Sequence, residues 1–124
     1  MNKIIYTESA PQPIGPYSQA YLAGNTFYCS GQIALDAKTG EFLNGTISEQ
    51  TKKCIENIEQ VLKAAGYGFE NVVKTTCFLS KMSDFAEFNE VYANYFTSKP
   101  ARSCIAAKEL PKGALVEIEV IAVK

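Results

Sequence analysis

The residues of this chain that could do chemistry are concentrated in its last quarter. Arg102, Glu117 and Glu119 interrupt two segments, PARSCI and LVEIEVIAV, that otherwise have the apolar character of buried β-strands. Ionised groups are expensive to bury unless a counter-charge or a bound ligand compensates them. The sequence contains no histidine, so proton transfer would have to use a carboxylate, a tyrosine, a lysine, a cysteine or a bound water.

Arg102 has two interpretations that the residues leave open. A guanidinium on a partly dry surface is a planar fork that binds a carboxylate through two charge-assisted hydrogen bonds. It could instead form a structural salt bridge with Glu117, with Glu119 or with a neighbouring subunit. Arginines more often hold structure together than bind a ligand, so spacing alone favours the salt bridge.

Glu117 and Glu119 lie on one face of the last strand, because side chains two residues apart point the same way. Burial and a neighbouring carboxylate would raise the pKa of such a group, which could then hold or deprotonate a water. The alternative is a carboxylate at the sheet rim in solvent. The exposed position at the rim suits Glu119 better. Glu117 is flanked by Val116 and Ile118, and its position is equally compatible with a solvent-exposed carboxylate and with a buried one that holds a water.

Five further candidates each have a structural alternative. Tyr17 follows a rigid IGP segment and could present its phenol to a substrate, or simply fill a gap. Asn89, at the edge of a helical apolar stripe, could orient a charged side chain, although holding a loop is the more usual role. Ser30 and Gly31 end a predicted strand where backbone can approach a ligand, or merely turn. Cys104 has no histidine to activate it, so we interpret it as a small buried residue whose backbone matters more than its thiol.

The composition predicts one soluble globular domain, residues 1–124. Hydrophobic residues make up 47%, charged residues 20% and the net charge is −1, with no cluster of lysines or arginines of the kind that binds nucleic acid. We find no signal peptide and no apolar stretch of membrane-spanning length. The four cysteines are scattered, which argues against a metal site and favours free thiols in the cytoplasm.

Hydrophobic periodicity predicts an α+β fold with the order βββ-α-β-α-ββ. The first helix should begin at a capping box, Thr46 to Glu49, and end at Gly66, and the second should begin near Ser83-Asp84. A turn at Gly24-Asn25 should join the second and third strands. The predicted strands are Ile4–Tyr6, Tyr17–Ala23, Thr26–Ser30, Val72–Leu79, Arg102–Ala107 and Leu115–Val123.

Two amphipathic helices can cover only one face of such a sheet. The residues of the last strand that point away from the helices are half apolar: Leu115, Glu117, Glu119, Ile121 and Val123. Water alone is a poor covering for that face, so we expect another subunit to cover it.

Several separated motifs together resemble the Rid (YjgF) family of reactive intermediate deaminases, most closely its RidA subgroup. They are IGPYSQA, YCSGQI, EQTKKCIENIEQVLKAAG, DFAEFNEVYANYF, PARSCIAAKEL and PKGALVEIEVIAV. They span nearly the whole chain and include the arginine and the glutamate that this subgroup keeps. The connection Phe96–Pro100 is shorter than in many members, which bears on the shape of the cleft beside it.

The resemblance implies a fold like that of chorismate mutase, a mixed sheet covered on one face by two helices. It also implies a homotrimer whose sheets line a central barrel, with a cleft at each subunit interface. The implied activity is hydrolysis of 2-imino acids such as 2-iminobutanoate and 2-iminopropanoate, and of their enamine tautomers, to 2-oxo acids and ammonia without a cofactor. Arg102 would grip the substrate carboxylate, Glu117 would position the attacking water and Tyr17 would assist proton transfer. The substrate-binding wall would comprise Ser30, Gly31, Asn89 and the backbone around Cys104.

Two other functions remain open from the sequence. A non-catalytic regulatory protein could use the same cleft to bind a small carboxylate and signal to a partner. Ribonuclease or translation-inhibitor activity has been attributed to some family members, but the acidic charge balance and the missing basic cluster argue against a nucleic-acid partner.

Overall fold

The computed structural model describes residues 2–124. Within them the main elements are β1 Asn2–Ile5, β2 Ala20–Ala23, β3 Thr26–Gln32, α1 Ile47–Ala64, β4 Val72–Leu79, α2 Phe85–Tyr95, β5 Ala101–Ala106 and β6 Val116–Val123. The strands form one mixed sheet in the order β1-β2-β3-β6-β4-β5. Only β4 and β5 pair in parallel, since α2 connects them as a crossover. The predicted element order and the α+β fold are confirmed.

Local signals determine where α1 and the β2–β3 hairpin begin. The N–H of Glu49 donates to Thr46 Oγ1 at 3.2 Å, and the N–H of Thr46 donates to Glu49 Oε1 at 2.8 Å. These two bonds are the predicted capping box, which satisfies N–H groups that the helix itself cannot. In the hairpin turn Gly24 has a φ of +60°, a left-handed conformation that a residue without a Cβ adopts at little cost.

Strand β3 differs from its prediction at its C-terminal end. It does not stop at Ser30 but continues through Gly31 to Gln32. Its register with β6 shifts between Cys29 and Gln32, which is the mark of a β-bulge. Gly31 therefore lies inside a bulged strand and is not a turn residue.

Strand β2 starts later than its pattern predicts, at Ala20 and not at Tyr17. The N–H of Tyr17 donates to the carbonyl of Gly15 at 2.9 Å within a turn, so it is not available to a strand ladder. The chain before the strand is instead held by the buried side chain of Gln19, which makes four hydrogen bonds to the backbone of residues 7–11.

The two helices pack on one face of the sheet and leave the other face open. On β6 the predicted alternation is confirmed, because Val116, Ile118, Val120 and Ala122 are buried and the residues between them are not. The exposed large side chains Tyr21, Tyr28, Ile105 and Val123 belong to strands of the same sheet. None of the helices formed by residues 2–124 is long and apolar enough to cross a membrane.

Candidate active site

A cavity of about 480 Å³ lies beside the β3 bulge. Four of the predicted site residues, Tyr17, Ser30, Gly31 and Glu117, line it together. Strands β3 and β6 are neighbours in the sheet, so the bulge of one strand lies beside the carboxylate of the other. Of the seven residues that the resemblance assigned to one cleft, these four therefore share one cavity within a single chain, and the other three do not line it.

Gly31 makes room for the Glu117 side chain. A Cβ built on Gly31 would clash with the Glu117 carboxylate, and it would lie 2.9 Å from Glu117 Cδ. The glycine is needed for this close approach and not for its φ, which is not in the left-handed region. The missing side chain of Gly31 thus leaves the space that the Glu117 carboxylate occupies.

Burial raises the pKa of the Glu117 carboxyl, and the nearby Glu119 carboxylate raises it further. Desolvation disfavours the charged form of a carboxyl group, and a second negative charge acts in the same direction. A carboxylate whose pKa moves towards neutrality is a better acceptor and donor of protons at physiological pH. Among residues 2–124, no lysine or arginine lies within 4.0 Å of Glu117.

Tyr17 and Ser30 contribute differently to this cavity. Tyr17 is 51% exposed, and its hydroxyl accepts a long hydrogen bond of 3.5 Å from the N–H of Ile14. The phenol is therefore free to contact a ligand. The Ser30 hydroxyl already donates to the carbonyl of Ser18 at 2.6 Å, so its oxygen remains as an acceptor.

Arg102 lies in a second environment, between β5 and α2. Its Nη1 donates to Asn89 Oδ1 at 2.8 Å. Its guanidinium carbon is 4.8 Å from the ring centroid of Tyr92 and 5.4 Å from that of Phe85, within the range of cation–π attraction. Within residues 2–124 no carboxylate lies within 4.0 Å of Arg102, so a salt bridge with Glu117 or Glu119 is absent there.

Asn89 therefore orients a charged side chain, which is the less usual of its two predicted roles. One amide oxygen engages one guanidinium nitrogen and leaves the other donors of Arg102 free to bind a planar anion. Arg102 is also the only arginine in the sequence, so an arginine-specific reagent reports on this position alone.

Cys104 follows Arg102 on the same side of β5, where both are half-buried. Burial raises the pKa of the Cys104 thiol, and the positive charge of Arg102 offsets this only in part. A thiol that stays protonated at neutral pH is a weak nucleophile. The raised pKa agrees with the interpretation that the Cys104 thiol is not a nucleophile, and Cys104 lines neither the cavity beside Glu117 nor the one beside Arg102.

Within one chain the Arg102 and Glu117 groups cannot meet. Arg102 pairs in register with Thr75, whose hydroxyl contacts the Tyr92 hydroxyl of α2 at 2.8 Å, so both residues face the helices. Glu117 pairs in register with Phe78, three residues further along β4, and lies between the helix-facing residues of β6. The two charged groups therefore occupy opposite faces of the sheet.

Two residues that the sequence interpretation did not single out shape these sites. Gln19 holds the segment that carries Tyr17, and no local pattern marks it. Tyr92 lies under the Arg102 guanidinium, and its position three residues after Asn89 on α2 was a usable signal, because such residues share a helix face. Among residues 2–124, no group of histidine, cysteine, aspartate or glutamate side chains is arranged to hold a metal ion.

The chain matches the protein family described as Endoribonuclease L-PSP over residues 7–124. A solved structure from Yersinia pestis, YyfA of the conserved Rid protein family, is 43% identical, covers all of both chains and superposes with a TM-score of 0.96. The chain belongs to this family. The predicted Rid (YjgF) membership is confirmed, and so is the predicted chorismate-mutase-like sheet, which this neighbour shares.

Other members of the Rid family carry more specific names. A RutC family protein of Pyrococcus horikoshii is 54% identical over the whole chain and 99% of its own length. The human 2-iminobutanoate/2-iminopropanoate deaminase is 45% identical over the whole chain and 91% of its own length. The solved structure of Escherichia coli TdcF with bound serine is 39% identical, covers 98% of both chains and has a TM-score of 0.93.

Proposed function

We propose that this Rid protein hydrolyses reactive 2-imino acids and their enamine tautomers to 2-oxo acids and ammonia. The observation that carries the proposal is the state of its two charged groups. Arg102 is half-buried with an amide as its polar partner, and Glu117 is half-buried with a raised pKa and a second carboxylate nearby. Within residues 2–124 neither group has an ion-pair partner within 4.0 Å, and a substrate with a carboxylate and an electrophilic carbon would use both.

The reaction follows from what each group can do. The substrate carboxylate binds the free donors of Arg102, which fixes the C2 atom. A water held by Glu117 adds to C2 of the protonated imine. The resulting carbinolamine expels ammonia, with a proton passing through Glu117 or Tyr17. Imines already hydrolyse in water, so the barrier to be lowered is far below the largest catalytic effects of about 23 kcal/mol. Positioning and one acid–base group are sufficient without a cofactor.

The opposite placement of Arg102 and Glu117 requires an oligomer. In this proposal the Arg102 side of one copy meets the Glu117 cavity of a neighbouring copy, in a homotrimer whose open sheet faces pack together. The exposed apolar residues of that face support such packing. A closed ring repeats one interface between all copies, so every cleft would contain one of each charged group.

The names of two relatives support this function. A human relative is named a 2-iminobutanoate/2-iminopropanoate deaminase, and TdcF was crystallised with serine, a small 2-amino acid. Bound serine is also what a non-catalytic sensor of small carboxylates would contain. Activity and binding therefore have to be measured separately.

The test generates 2-iminobutanoate with a threonine dehydratase and traps it with semicarbazide. An active deaminase lowers the yield of semicarbazone, whereas a sensor does not. Arg102→Ala removes two charge-assisted hydrogen bonds worth about 1.5–3 kcal/mol each, so we expect kcat/KM to fall by roughly 10²–10⁴-fold. The oligomer should stay intact. Near-normal activity of Arg102→Ala would refute the proposal.

Two further variants separate catalysis from binding. Glu117→Gln should lower kcat more than it weakens binding of 2-oxobutanoate, because the amide keeps the shape but cannot accept the proton. Glu87→Gln, an exposed position on α2, is the matched control and should change neither. Phenylglyoxal should inactivate the protein by modifying Arg102, and 2-oxobutanoate should protect it.

The family description as an endoribonuclease gives the second candidate function. The discriminating experiment incubates labelled RNA with the repurified wild type and with Arg102→Ala. RNA cleavage that persists equally in both would favour a nucleic-acid site elsewhere on the surface. Cleavage by neither, together with imine hydrolysis by the wild type, would favour the deaminase.

A further inference from the structure

A second cavity, of about 560 Å³, lies on the helix side of Arg102. It is formed by the end of α2, the short connection after it and the start of β5. Its wall includes two cationic residues, Lys99 and Arg102, and no carboxylate. Asn89, Tyr92, Phe96 and Pro100 form most of the remainder. A cavity with two cations and no acid is suited to an anion with more than one charge.

Lys99 is held in an unusual backbone conformation at this cavity. Its φ is +57°, in the left-handed region, and its N–H donates to the carbonyl of Phe96 at 3.1 Å. Residues other than glycine and asparagine seldom adopt this conformation. A residue before a proline, here Pro100, normally has extended backbone. A glycine would adopt this geometry more easily, so the presence of a lysine here directs attention to the lysine side chain.

The spacing of the two cations suits a small dianion. Lys99 and Arg102 are three residues apart, so their α-carbons are at most roughly 10 Å from each other. Both have long, flexible side chains, which can converge on two carboxylates separated by two or three carbon atoms. The Arg102 fork is satisfied by one carboxylate, and among residues 2–124 no carboxylate lies within 4.0 Å of Lys99. The second cation is therefore available for a second carboxylate.

We infer that Lys99 is a specificity-determining residue that binds a second carboxylate, so that the substrates of this site include dicarboxylic 2-imino acids of four or five carbons, such as 2-iminoglutarate. The inference rests on the proposed function and narrows its substrate class. The chemistry is unchanged: water adds to C2, the C–N bond breaks and ammonia leaves, with no oxidant or reductant. The enzyme that supplies such a substrate would be an oxidase or dehydrogenase acting on an acidic amino acid.

The experiment compares two substrates in the full-length oligomer. L-Glutamate oxidase generates 2-iminoglutarate, threonine dehydratase generates 2-iminobutanoate, and semicarbazide traps whatever imine the protein leaves. The measured quantity is the ratio of kcat/KM for the dicarboxylic to the monocarboxylic imine. We expect Lys99→Met to lower this ratio by about 3- to 10-fold, the range for losing one charge-assisted contact that is partly exposed.

Two matched variants decide whether the charge of Lys99 is responsible. Lys99→Arg keeps the charge and should keep the ratio within about twofold of wild type. Lys52→Met makes the same charge change at an exposed position of α1 that lines neither cavity, and should leave the ratio unchanged. An equal fall in Lys99→Arg and Lys99→Met, or no fall in either, would overturn the inference.

A binding measurement separates failure of this inference from failure of the proposed function. Calorimetry gives the affinities for 2-oxoglutarate and 2-oxobutanoate in the wild type and in Lys99→Met. If the wild type hydrolyses 2-iminobutanoate but Lys99→Met leaves both the ratio and the 2-oxoglutarate affinity unchanged, only the inference is wrong. If neither imine is hydrolysed, the proposed function is wrong. In that case, a loss of affinity for 2-oxoglutarate but not for 2-oxobutanoate in Lys99→Met would still support binding of a second carboxylate by Lys99. Unchanged affinity for both ligands would overturn it.

Discussion

Mixing two inactive variants, Arg102→Ala and Glu117→Gln, is expected to restore activity that neither has alone. The reason is that the two groups lie on opposite faces of the sheet in one chain. If a cleft is completed by two copies, an oligomer containing both variants has some clefts with an intact arginine from one copy and an intact glutamate from the next. If one chain supplied both groups, every cleft in the mixture would remain defective.

The size of the recovery follows from the assembly. In a closed ring each cleft takes its arginine from one protomer and its glutamate from its neighbour. With random mixing in equal amounts, each side is intact with even odds, so about a quarter of all clefts are complete. In trimers that contain both variants, which purification on two tags selects, about one third of the clefts are complete. Each variant alone should retain no more than about one hundredth of wild-type activity. The expected gain over the separate variants is therefore large.

The assay requires demonstrated subunit exchange. The variants carry different affinity tags, are co-expressed and are purified on both tags, and native mass spectrometry establishes that mixed oligomers are present. Imine trapping then measures their activity. Pairing Arg102→Ala with the double variant Arg102→Ala/Glu117→Gln is the matched control, because no combination of these chains can complete a cleft. Mixed oligomers with no activity beyond that of this control would refute the shared site, as would a stable wild-type monomer with full activity.

Three further predictions concern the geometry inside each half of the site. Gly31→Ala should lower kcat/KM by about 10²-fold, because the added methyl group displaces the Glu117 carboxylate, and should cause little loss of stability. Steady-state kinetics measures the first effect and thermal unfolding the second. Asn89→Asp should impair 2-oxobutanoate binding more than Asn89→Ala does, because an aspartate would pair with Arg102 and compete with the ligand carboxylate. The activity should fall on the acid side as Glu117 is protonated. Glu119→Gln should move that limb of the kcat/KM profile to lower pH, since it removes the neighbouring charge that raises the Glu117 pKa.

These predictions have internal controls. Gly24→Ala places a methyl group in open space but on a left-handed residue, so it should lower stability by about 1 kcal/mol and leave kcat/KM unchanged. If Gly31→Ala instead lowered stability and Gly24→Ala lowered kcat/KM, the role given to Gly31 would be contradicted. Equal effects of the alanine and aspartate variants at Asn89 would indicate a purely structural residue. An acid limb that stays in place in Glu119→Gln would contradict the electrostatic coupling of the two carboxylates.

Much of the fold could be predicted because its signals are local. The capping box at Thr46 and Glu49, the hairpin glycine Gly24 and the alternation along β6 each depend on residues a few positions apart. All three were predicted from the sequence and occur as predicted. The end of β3 was not, because a bulge depends on the register with a strand almost ninety positions later in the chain.

The candidate site was predicted in its membership but not in its arrangement. Residue types and spacing singled out Arg102, Glu117 and Asn89, and the motif resemblance assigned them to one cleft. Neither determined that Asn89 accepts a hydrogen bond from Arg102, or that Lys99 shares a cavity with that arginine. Both contacts form where α2 packs over β5, and the angle of that packing depends on side chains spread along the whole sheet.

By itself, the sequence determined which charges exist, the order of the elements and the face of β6 on which Glu117 lies. These properties follow from residue types and from the short periods of helices and strands. Only the tertiary structure decided that Arg102 lies on the opposite, helix-facing side of the sheet, and that Gly31 lies against the Glu117 carboxylate. The physical reason is that successive side chains of a strand point to opposite faces, so the pairing register of distant strands, and not local pattern, determines which groups can share a site.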